Sequence, residues 1–98
     1  MIRVGIIGMG IRGTMYAKTL KYNAYAEVAA FAEGNPERLK DAKAAFGATA
    51  YSDYNVMLAE NDFDIVIVAL PDHLHKDAVL KTVAKKCHIL IEKPLSTS

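Results

Sequence analysis

Residues 2–13 read Ile-Arg-Val-Gly-Ile-Ile-Gly-Met-Gly-Ile-Arg-Gly. The first six of them form an apolar run of the kind found in strands that are buried on both faces. Three glycines follow in the pattern Gly-x-Gly-x-x-Gly, at Gly8, Gly10 and Gly13. Residues 11–22 then carry apolar side chains at helical spacing, at Ile11, Met15, Ala17 and Leu20. This order of strand, glycine-rich turn and helix predicts the opening unit of an α/β domain.

The rest of the chain repeats this alternation of short β-branched runs and longer helical patterns. Further strands are predicted over residues 27–32, 48–51, 64–69 and 88–91. Helices are predicted over 36–46, from Ser52 or Asp53 through Glu60, and from Pro71 onward, the last with Val79, Leu80, Val83 and Ala84 as its core face. Asn35 and Gly47 are the expected N-cap and left-handed stop of the helix over 36–46. Five strands and four helices predict a Rossmann-like doubly wound parallel sheet, in the order 3-2-1-4-5, with helices on both faces.

The composition is that of an ordinary globular domain, with 98 residues, 52% hydrophobic and 23% charged. Twelve Lys and Arg against eleven Asp and Glu leave a net charge of +1, so nothing favours nucleic acid or an anionic membrane as a partner. The single Cys87 excludes a disulfide framework and fits a reducing compartment. Residues 2–9 are too short for a membrane span and lack the features of a signal peptide, so we expect a cytoplasmic protein.

Each glycine of the motif has its own physical role. Gly8 permits the tight turn out of the strand, Gly10 leaves room for a pyrophosphate beside the backbone, and Gly13 lets the helix pack closely on the strand. The N–H groups and the positive dipole end of the helix then face the phosphates. The predicted diphosphate loop therefore consists of Gly8, Met9, Gly10, Ile11, Arg12 and Gly13. The alternative is a glycine turn that binds nothing.

An acid stands at the distance that such a motif requires, since Glu33 follows Gly13 by twenty residues at the end of the second predicted strand. A carboxylate there accepts hydrogen bonds from the hydroxyls of the adenosine ribose and repels a 2′-phosphate. Gly34 supplies no neighbouring guanidinium for that phosphate, although Arg38 lies about one helical turn into the next helix and can reach round. The sequence therefore predicts NAD in preference to NADP. The alternative for Glu33 is a solvated loop acid.

Two further segments are expected at the same edge of the sheet. The fourth strand ends in Leu70-Pro71-Asp72-His73-Leu74-His75. The two histidines are two residues apart, so they point in different directions on a helix and no metal site is predicted; His75 either packs against the cofactor region or caps the helix. After the fifth strand, Glu92-Lys93-Pro94 places an ammonium where it can stabilise a developing alkoxide. The alternative is a salt-bridged Glu-Lys pair in a loop.

Taken together, these residues resemble the N-terminal dinucleotide-binding domain of the glucose–fructose oxidoreductase, inositol dehydrogenase and MocA family. The segments that carry the resemblance are Arg3–Gly10, Asn35–Arg38, Leu70-Pro71 with His75, and Glu92–Leu95. The resemblance implies an NAD(P)-dependent oxidoreductase that moves hydride between nicotinamide and a carbinol carbon of a sugar, polyol or related hydroxyl compound. It implies a catalytic role for Lys93 and a cis bond from Lys93 to Pro94. Lys86 stands where the family has a glycine.

Members of this family continue beyond the fifth strand into a substrate domain, whereas this chain ends at Ser98. We therefore expect a fragment of a longer enzyme that binds a dinucleotide but does not turn over substrate alone. Its fifth strand would be an unpaired edge that favours self-association. The alternatives are a stand-alone NAD-binding sensor or interaction module, and an adenosyl-methionine-binding methyltransferase. The segments Leu70-Pro71 and Glu92-Lys93-Pro94 speak against the methyltransferase.

Overall fold

The computed structural model describes residues 2–70, 72–85 and 87–91, with the backbone alone described at 11–12 and 72–75. The strands are β1 (Ile2–Ile7), β2 (Ala26–Ala32), β3 (Thr49–Tyr51), β4 (Ile65–Val68) and β5 (His88–Ile91). The helices are α1 (Ile11–Lys21), α2 (Pro36–Phe46), α3 (Tyr54–Glu60) and α4 (Asp72–Val83). The predicted alternation of strands and helices is confirmed. No helix within the described ranges has the length and apolarity needed to cross a membrane.

The five strands form one parallel sheet in the order β3-β2-β1-β4-β5. The first strand is central, and it pairs with β2 along one edge and with β4 along the other. Successive crossovers run outward to β3 on one side and to β5 on the other, so the strand order reverses between β1 and β4. Open α/β sheets bind ligands beyond the carboxyl ends of the strands at such a reversal. The predicted fold and strand order are confirmed.

The sheet carries one apolar core on each face because successive side chains of a strand point in opposite directions. On one face, Ile6 of β1 and Phe31 of β2 pack beneath α1 and α2. On the other face, Ile7 and Val68 pack beneath α3 and α4. These four side chains are at most 1% exposed. The carboxyl end of β1 is therefore packed against helices on both faces of the sheet. The glycine-rich loop begins at this buried position.

The capping residues of α2 and α3 bind the backbone as the sequence indicates. The Asn35 side chain accepts hydrogen bonds from the N–H groups of Glu37 and Arg38, at 3.0 and 3.2 Å. Gly47 ends α2 with a φ of 66°, in the left-handed region that favours glycine. Of the two residues considered as the cap of α3, Asp53 holds that position and accepts a hydrogen bond from Asn55 N at 2.8 Å.

The buried face of α4 differs from the prediction of Val79, Leu80, Val83 and Ala84. Leu80 and Val83 are 60% and 56% exposed and Ala84 is exposed, whereas Ala78 and Thr82 are fully buried and Val79 is half-buried. The small side chain of Ala78 permits a close approach of the helix to the sheet. The Thr82 hydroxyl donates to Ala78 O at 2.7 Å, so its burial leaves no polar group unsatisfied.

Two other expectations about single residues have different outcomes. Met15 of α1, grouped with Ala17 by its spacing, is 51% exposed and faces a groove between α1 and α2, while Ala17 is fully buried. Lys86, where the resemblance leads one to expect a glycine, lies outside the described residues. In the edge strand β5, Leu90 and Ile91 are 43% and 40% exposed.

Candidate functional site

Two glycines of the loop between β1 and α1 are required by the packing of the chain itself. Gly8 has a φ of +96°, and a Cβ there would lie 2.7 Å from the carbonyl oxygen of Ala69. A Cβ on Gly13 would lie 1.8 Å from the carbonyl oxygen of Gly8, far inside any real contact. These two positions therefore bring β1, the end of β4 and the start of α1 into direct backbone contact, in agreement with the tight turn and close helix packing expected from the sequence.

Gly10 differs from Gly8 and Gly13, because no described residue would clash with a side chain at this position. Its backbone is extended, with a φ of −73° and a ψ of −156°. The nearest atom to a Cβ placed there is Nη1 of Arg38, at 3.8 Å, which is an ordinary van der Waals contact. The space over Gly10 is thus open at the end of the sheet where ligands bind. A glycine that the chain does not need fits the close approach of a ligand to the backbone.

The N-terminus of α1 presents backbone donors to that same space. Gly10 is the N-cap and provides no side-chain hydrogen bond, and the first turn contains no acidic residue. The first helical hydrogen bond runs from Thr14 N to Gly10 O, so the N–H groups of residues 11–13 precede it. In contrast, α2 and α3 are both capped by side chains. Uncapped N–H groups together with the positive end of the helix dipole favour an anion such as a diphosphate.

Glu33 lies directly beside the glycine loop rather than out in solvent. Its carboxylate accepts a hydrogen bond from Met9 N at 2.7 Å through Oε1 and another from Asn35 N at 2.8 Å through Oε2. The residue is only 9% exposed. Its own N–H donates to Tyr51 O, which ties it to the end of β3. The interpretation of Glu33 as a solvated loop acid is therefore wrong, and the acid stands at the loop where the motif predicts it.

Arg38 brings a positive charge to the other side of the loop. Its guanidinium overhangs Gly10, and it forms no ion pair with any described residue. Arg38 also lines a groove of about 630 Å³ that extends from Gly10 between α1 and α2, together with Met15, Lys18, Asp41 and Phe46 among others. A free cation thus faces the space in which the sequence predicts phosphate groups.

The remaining predicted site residues divide into two groups. Leu70 contacts the loop, because its Cδ2 would lie 3.0 Å from a Cβ on Gly8. Pro71, Glu92 and Lys93 lie outside the described residues, and so does the predicted cis bond from Lys93 to Pro94. The backbone of Ile11, Arg12 and His75 belongs to α1 and α4, while their side chains are not described. Among the side chains that are described, no three His, Cys, Asp or Glu residues cluster as a metal site.

Sequence reasoning missed one side chain of the site. The Thr14 hydroxyl donates to the carbonyl oxygen of Met9 at 3.0 Å, while the N–H of Met9 is bound by Glu33. Both backbone polar groups of Met9 are therefore held by side chains. A threonine directly after the third glycine could have been recognised as a donor to the loop, but the acceptor that it uses depends on the folded turn.

The chain matches the family model described as GFO_IDH_MocA, "Oxidoreductase family, NAD-binding Rossmann fold", over residues 2–98. An inositol 2-dehydrogenase of Pseudarthrobacter chlorophenolicus is 37% identical over 97 residues, which cover 97% of this chain and 29% of that protein. The chain therefore spans less than a third of the length of this relative.

Two solved structures with bound cofactors are also similar. One is a scyllo-inositol dehydrogenase from Lactobacillus casei with bound NAD(H) and scyllo-inositol, with a TM-score of 0.86, 25% identity and coverage of 99% of this chain and 29% of that chain. The other is a variant of a 3-ketoreductase from Actinomadura kijaniata in complex with TDP-benzene and NADP, with a TM-score of 0.83, 33% identity and coverage of 98% and 31%. Similar proteins thus hold either form of the nicotinamide cofactor.

Proposed function

The chain belongs to the Gfo/Idh/MocA family of oxidoreductases with an NAD-binding Rossmann fold, and from this premise we propose that it binds the diphosphate of a nicotinamide dinucleotide at the N-terminus of α1. The observation that carries the proposal is the open space beside Gly10, where no described residue would clash with a side chain. A Cβ there would enter the space from which a phosphate oxygen reaches the N–H groups of residues 11–13. These N–H groups lie in the uncapped first turn, where an anion is favoured.

The other residues of the site act on the two ends of the bound dinucleotide. Glu33 accepts hydrogen bonds from the adenosine ribose, and Leu70 and Pro71 with His75 border the cofactor at the end of β4. When bound, the nicotinamide ring supplies a hydride donor or acceptor. Lys93 donates a hydrogen bond to the substrate oxygen, where it stabilises developing negative charge. The roles of Glu92, Lys93 and His75 follow from the family resemblance.

The reaction of the whole enzyme is an oxidation or reduction at a hydroxyl-bearing carbon of a sugar or polyol. The inositol 2-dehydrogenase related to this chain has more than three times its length, so the substrate contacts of such an enzyme extend beyond these residues. Correct positioning of two reactants supplies about 7–11 kcal/mol of a typical barrier. Residues 1–98 therefore serve as the dinucleotide-binding domain, and we expect them to bind cofactor without turning over substrate.

Preference for NAD over NADP follows from the way Glu33 is held. Two backbone N–H groups fix its carboxylate beside the loop, so it does not swing away from a 2′-phosphate. Two unit charges about 4 Å apart repel each other by about 4 kcal/mol at an effective dielectric constant of about 20. Arg38 acts in the opposite direction, but it is exposed, so solvent screens its charge. We therefore propose at least tenfold tighter binding of NAD(H).

The experiment is a fluorescence titration of the chain with NADH and with NADPH at constant ionic strength. Binding of NADH at least tenfold tighter supports the assignment of Glu33, and equal affinities would overturn the NAD preference. Binding of neither cofactor would overturn the proposed function. Arg38→Ala serves as the matched variant, because loss of the cation should weaken NADPH more than NADH and widen the difference.

Turnover is tested separately with NAD⁺ and myo-inositol as a representative polyol. No NADH should appear with residues 1–98 alone above the rate without protein, although the cofactor binds. Formation of NADH by this chain would contradict the proposal that positioning requires the rest of the enzyme.

A further inference from the structure

One carboxylate joins the two loops that border the proposed cofactor site. Glu33 accepts Met9 N from the loop after β1 and Asn35 N from the loop after β2, each through a different oxygen. Met9 directly precedes Gly10, and Asn35 is the N-cap of α2. With the side chain 9% exposed and both distances below 2.9 Å, these are charge-assisted hydrogen bonds in a site from which most water is excluded.

We propose that Glu33 is a positioning residue that sets the glycine loop in its binding shape before any cofactor arrives. Its bond to the N–H of Met9 and the bond from Thr14 to the carbonyl of Met9 fix the two peptide units on either side of that residue. The second of these units joins Met9 to Gly10, so the N–H of Gly10 is fixed together with the carbonyl of Met9. This positioning role is additional to the recognition of the adenosine ribose by Glu33. Only the recognition of the ribose rests on the proposed function.

The two roles are compatible because a carboxylate has more acceptor sites than the loop occupies. Two oxygens offer about four lone-pair positions, and Met9 and Asn35 use one on each oxygen. One position per oxygen is left for the two ribose hydroxyls. Cofactor binding therefore does not require the loop to be released, and the acid that recognises the ribose stays attached to the backbone that borders the diphosphate.

The two hydrogen bonds accepted by the Glu33 carboxylate suggest which substitutions separate loop positioning from ribose recognition. Glu33→Gln keeps the size of the side chain but replaces one acceptor oxygen with an NH₂ group, so one of the two backbone N–H groups then faces another donor. Glu33→Asp keeps the charge but is one methylene shorter, so it does not span both N–H groups at hydrogen-bond distance. Thr14→Val removes the second support of Met9 without touching the ribose.

The first experiment measures amide hydrogen exchange of the full chain without cofactor. In Glu33→Gln the protection of the Met9 or Asn35 amide should fall by about tenfold to a hundredfold, the range for loss of a hydrogen bond to a charged group. The Ala69 amide, which donates to Ile7 O in the same region, is the control and should not change. Unchanged protection at both Met9 and Asn35 would overturn the positioning role.

The second experiment measures affinity for NADH and for an analogue that lacks both hydroxyls of the adenosine ribose. If Glu33 only reads the ribose, Glu33→Gln binds the analogue as tightly as the unmodified chain does, and the proposal is wrong. If Glu33 also sets the loop, affinity for the analogue falls at least several-fold, even though the substitution removes a negative charge from an anion-binding site. Thr14→Val should weaken both ligands by the same factor, and Glu33→Asp should restore part of the loss.

These readouts keep the inference separate from the proposed function. If the unmodified chain binds no dinucleotide, the function fails and the exchange of Met9 and Asn35 still decides the positioning role. If Glu33→Gln does not fold, the same exchange measurement on Glu33→Asp decides it, with loss of protection expected at the Met9 or the Asn35 amide. Protection of both amides equal to that of the unmodified chain would overturn the inference.

Discussion

Gly10→Val tests the assignment of the diphosphate site most directly, because the structure predicts a large effect on cofactor binding and a small one on stability. The new Cβ would lie in the open space over the loop, with Arg38 Nη1 at 3.8 Å as its nearest neighbour. A diphosphate that reaches the N–H groups of residues 11–13 needs this space. The substitution should therefore remove cofactor binding while the fold persists.

The magnitude follows from the hydrogen bonds that the side chain would block. A hydrogen bond to a charged group contributes about 1.5–3 kcal/mol, so the loss of two phosphate contacts costs about 3–6 kcal/mol, or roughly a hundredfold or more in affinity. Stability should move little, because the φ of Gly10 is −73°, which other residues adopt readily. Gly10→Ala should likewise change stability by less than about 1 kcal/mol, because the lower entropy of the unfolded chain is offset by the poorer capping of alanine at this N-cap position.

The assay combines NADH titration with urea unfolding for Gly10→Val and Gly10→Ala. Gly34→Ala is the control for stability, since a Cβ at Gly34 would have no neighbour among the described residues within 4 Å. Retention of NADH affinity within threefold by a folded Gly10→Val protein would refute the reasoning, because the ligand would then not use the open face of Gly10. Loss of the fold in Gly10→Val would refute the separation of this glycine from the two that the chain's packing requires.

Other perturbations have outcomes that follow from the same structure. Gly13→Ala places a Cβ 1.8 Å from Gly8 O and should lower the free energy of unfolding by about 3 kcal/mol, measured by urea unfolding. Ala78→Leu should cost about 1–3 kcal/mol by overpacking a fully buried position, whereas Leu80→Lys, at an exposed one, should stay within about 0.5 kcal/mol. The hydrogen bond to Asp77 raises the pKa of Tyr54 to about 12. Because the folded pKa lies above the ordinary value of 10, the stabilisation by this hydrogen bond is full below pH 10 and is lost as the pH rises toward 12. Between pH 10 and pH 12 the free energy of unfolding should therefore fall less in Tyr54→Phe than in the unmodified chain, as measured by paired unfolding curves.

The fold was predictable from the sequence because its signals are local and repeat along the chain. Asn35 before a proline and Gly47 after an apolar face mark the ends of α2, and both act there through backbone geometry that any helix shares. Strand order followed from the same repetition, since each strand–helix–strand unit crosses with the same hand. The prediction of the buried face of α4 was wrong because it treated apolar side chains as the buried ones. At this contact Thr82 is buried with its hydroxyl bonded, and Leu80 remains outside.

The partners of the site residues were less predictable than the residues themselves. Spacing along the chain located Glu33, because the length of α1 and β2 fixes how far the acid lies from the glycines. Its bonds to Met9 N and Asn35 N were not predictable, since every residue other than proline carries such a donor and only the folded loops select these two. The same holds for Thr14, whose hydroxyl accepts or donates according to which backbone group the turn brings near.

The three glycines of the motif show how a ligand site can be distinguished from a structural turn. At Gly8 and Gly13 the clashing atoms are backbone atoms of the protein, so selection for folding alone explains the missing side chains. At Gly10 the φ is ordinary and no described residue fills the space, so the packing of the described residues would allow a side chain there. A glycine whose missing side chain relieves no contact among the described residues fits the close approach of a ligand to the backbone. Because this glycine stands between the uncapped end of α1 and an anchored Glu33, the outside partner is best explained as an anion that also carries hydroxyl donors, and a ribose-linked diphosphate combines both.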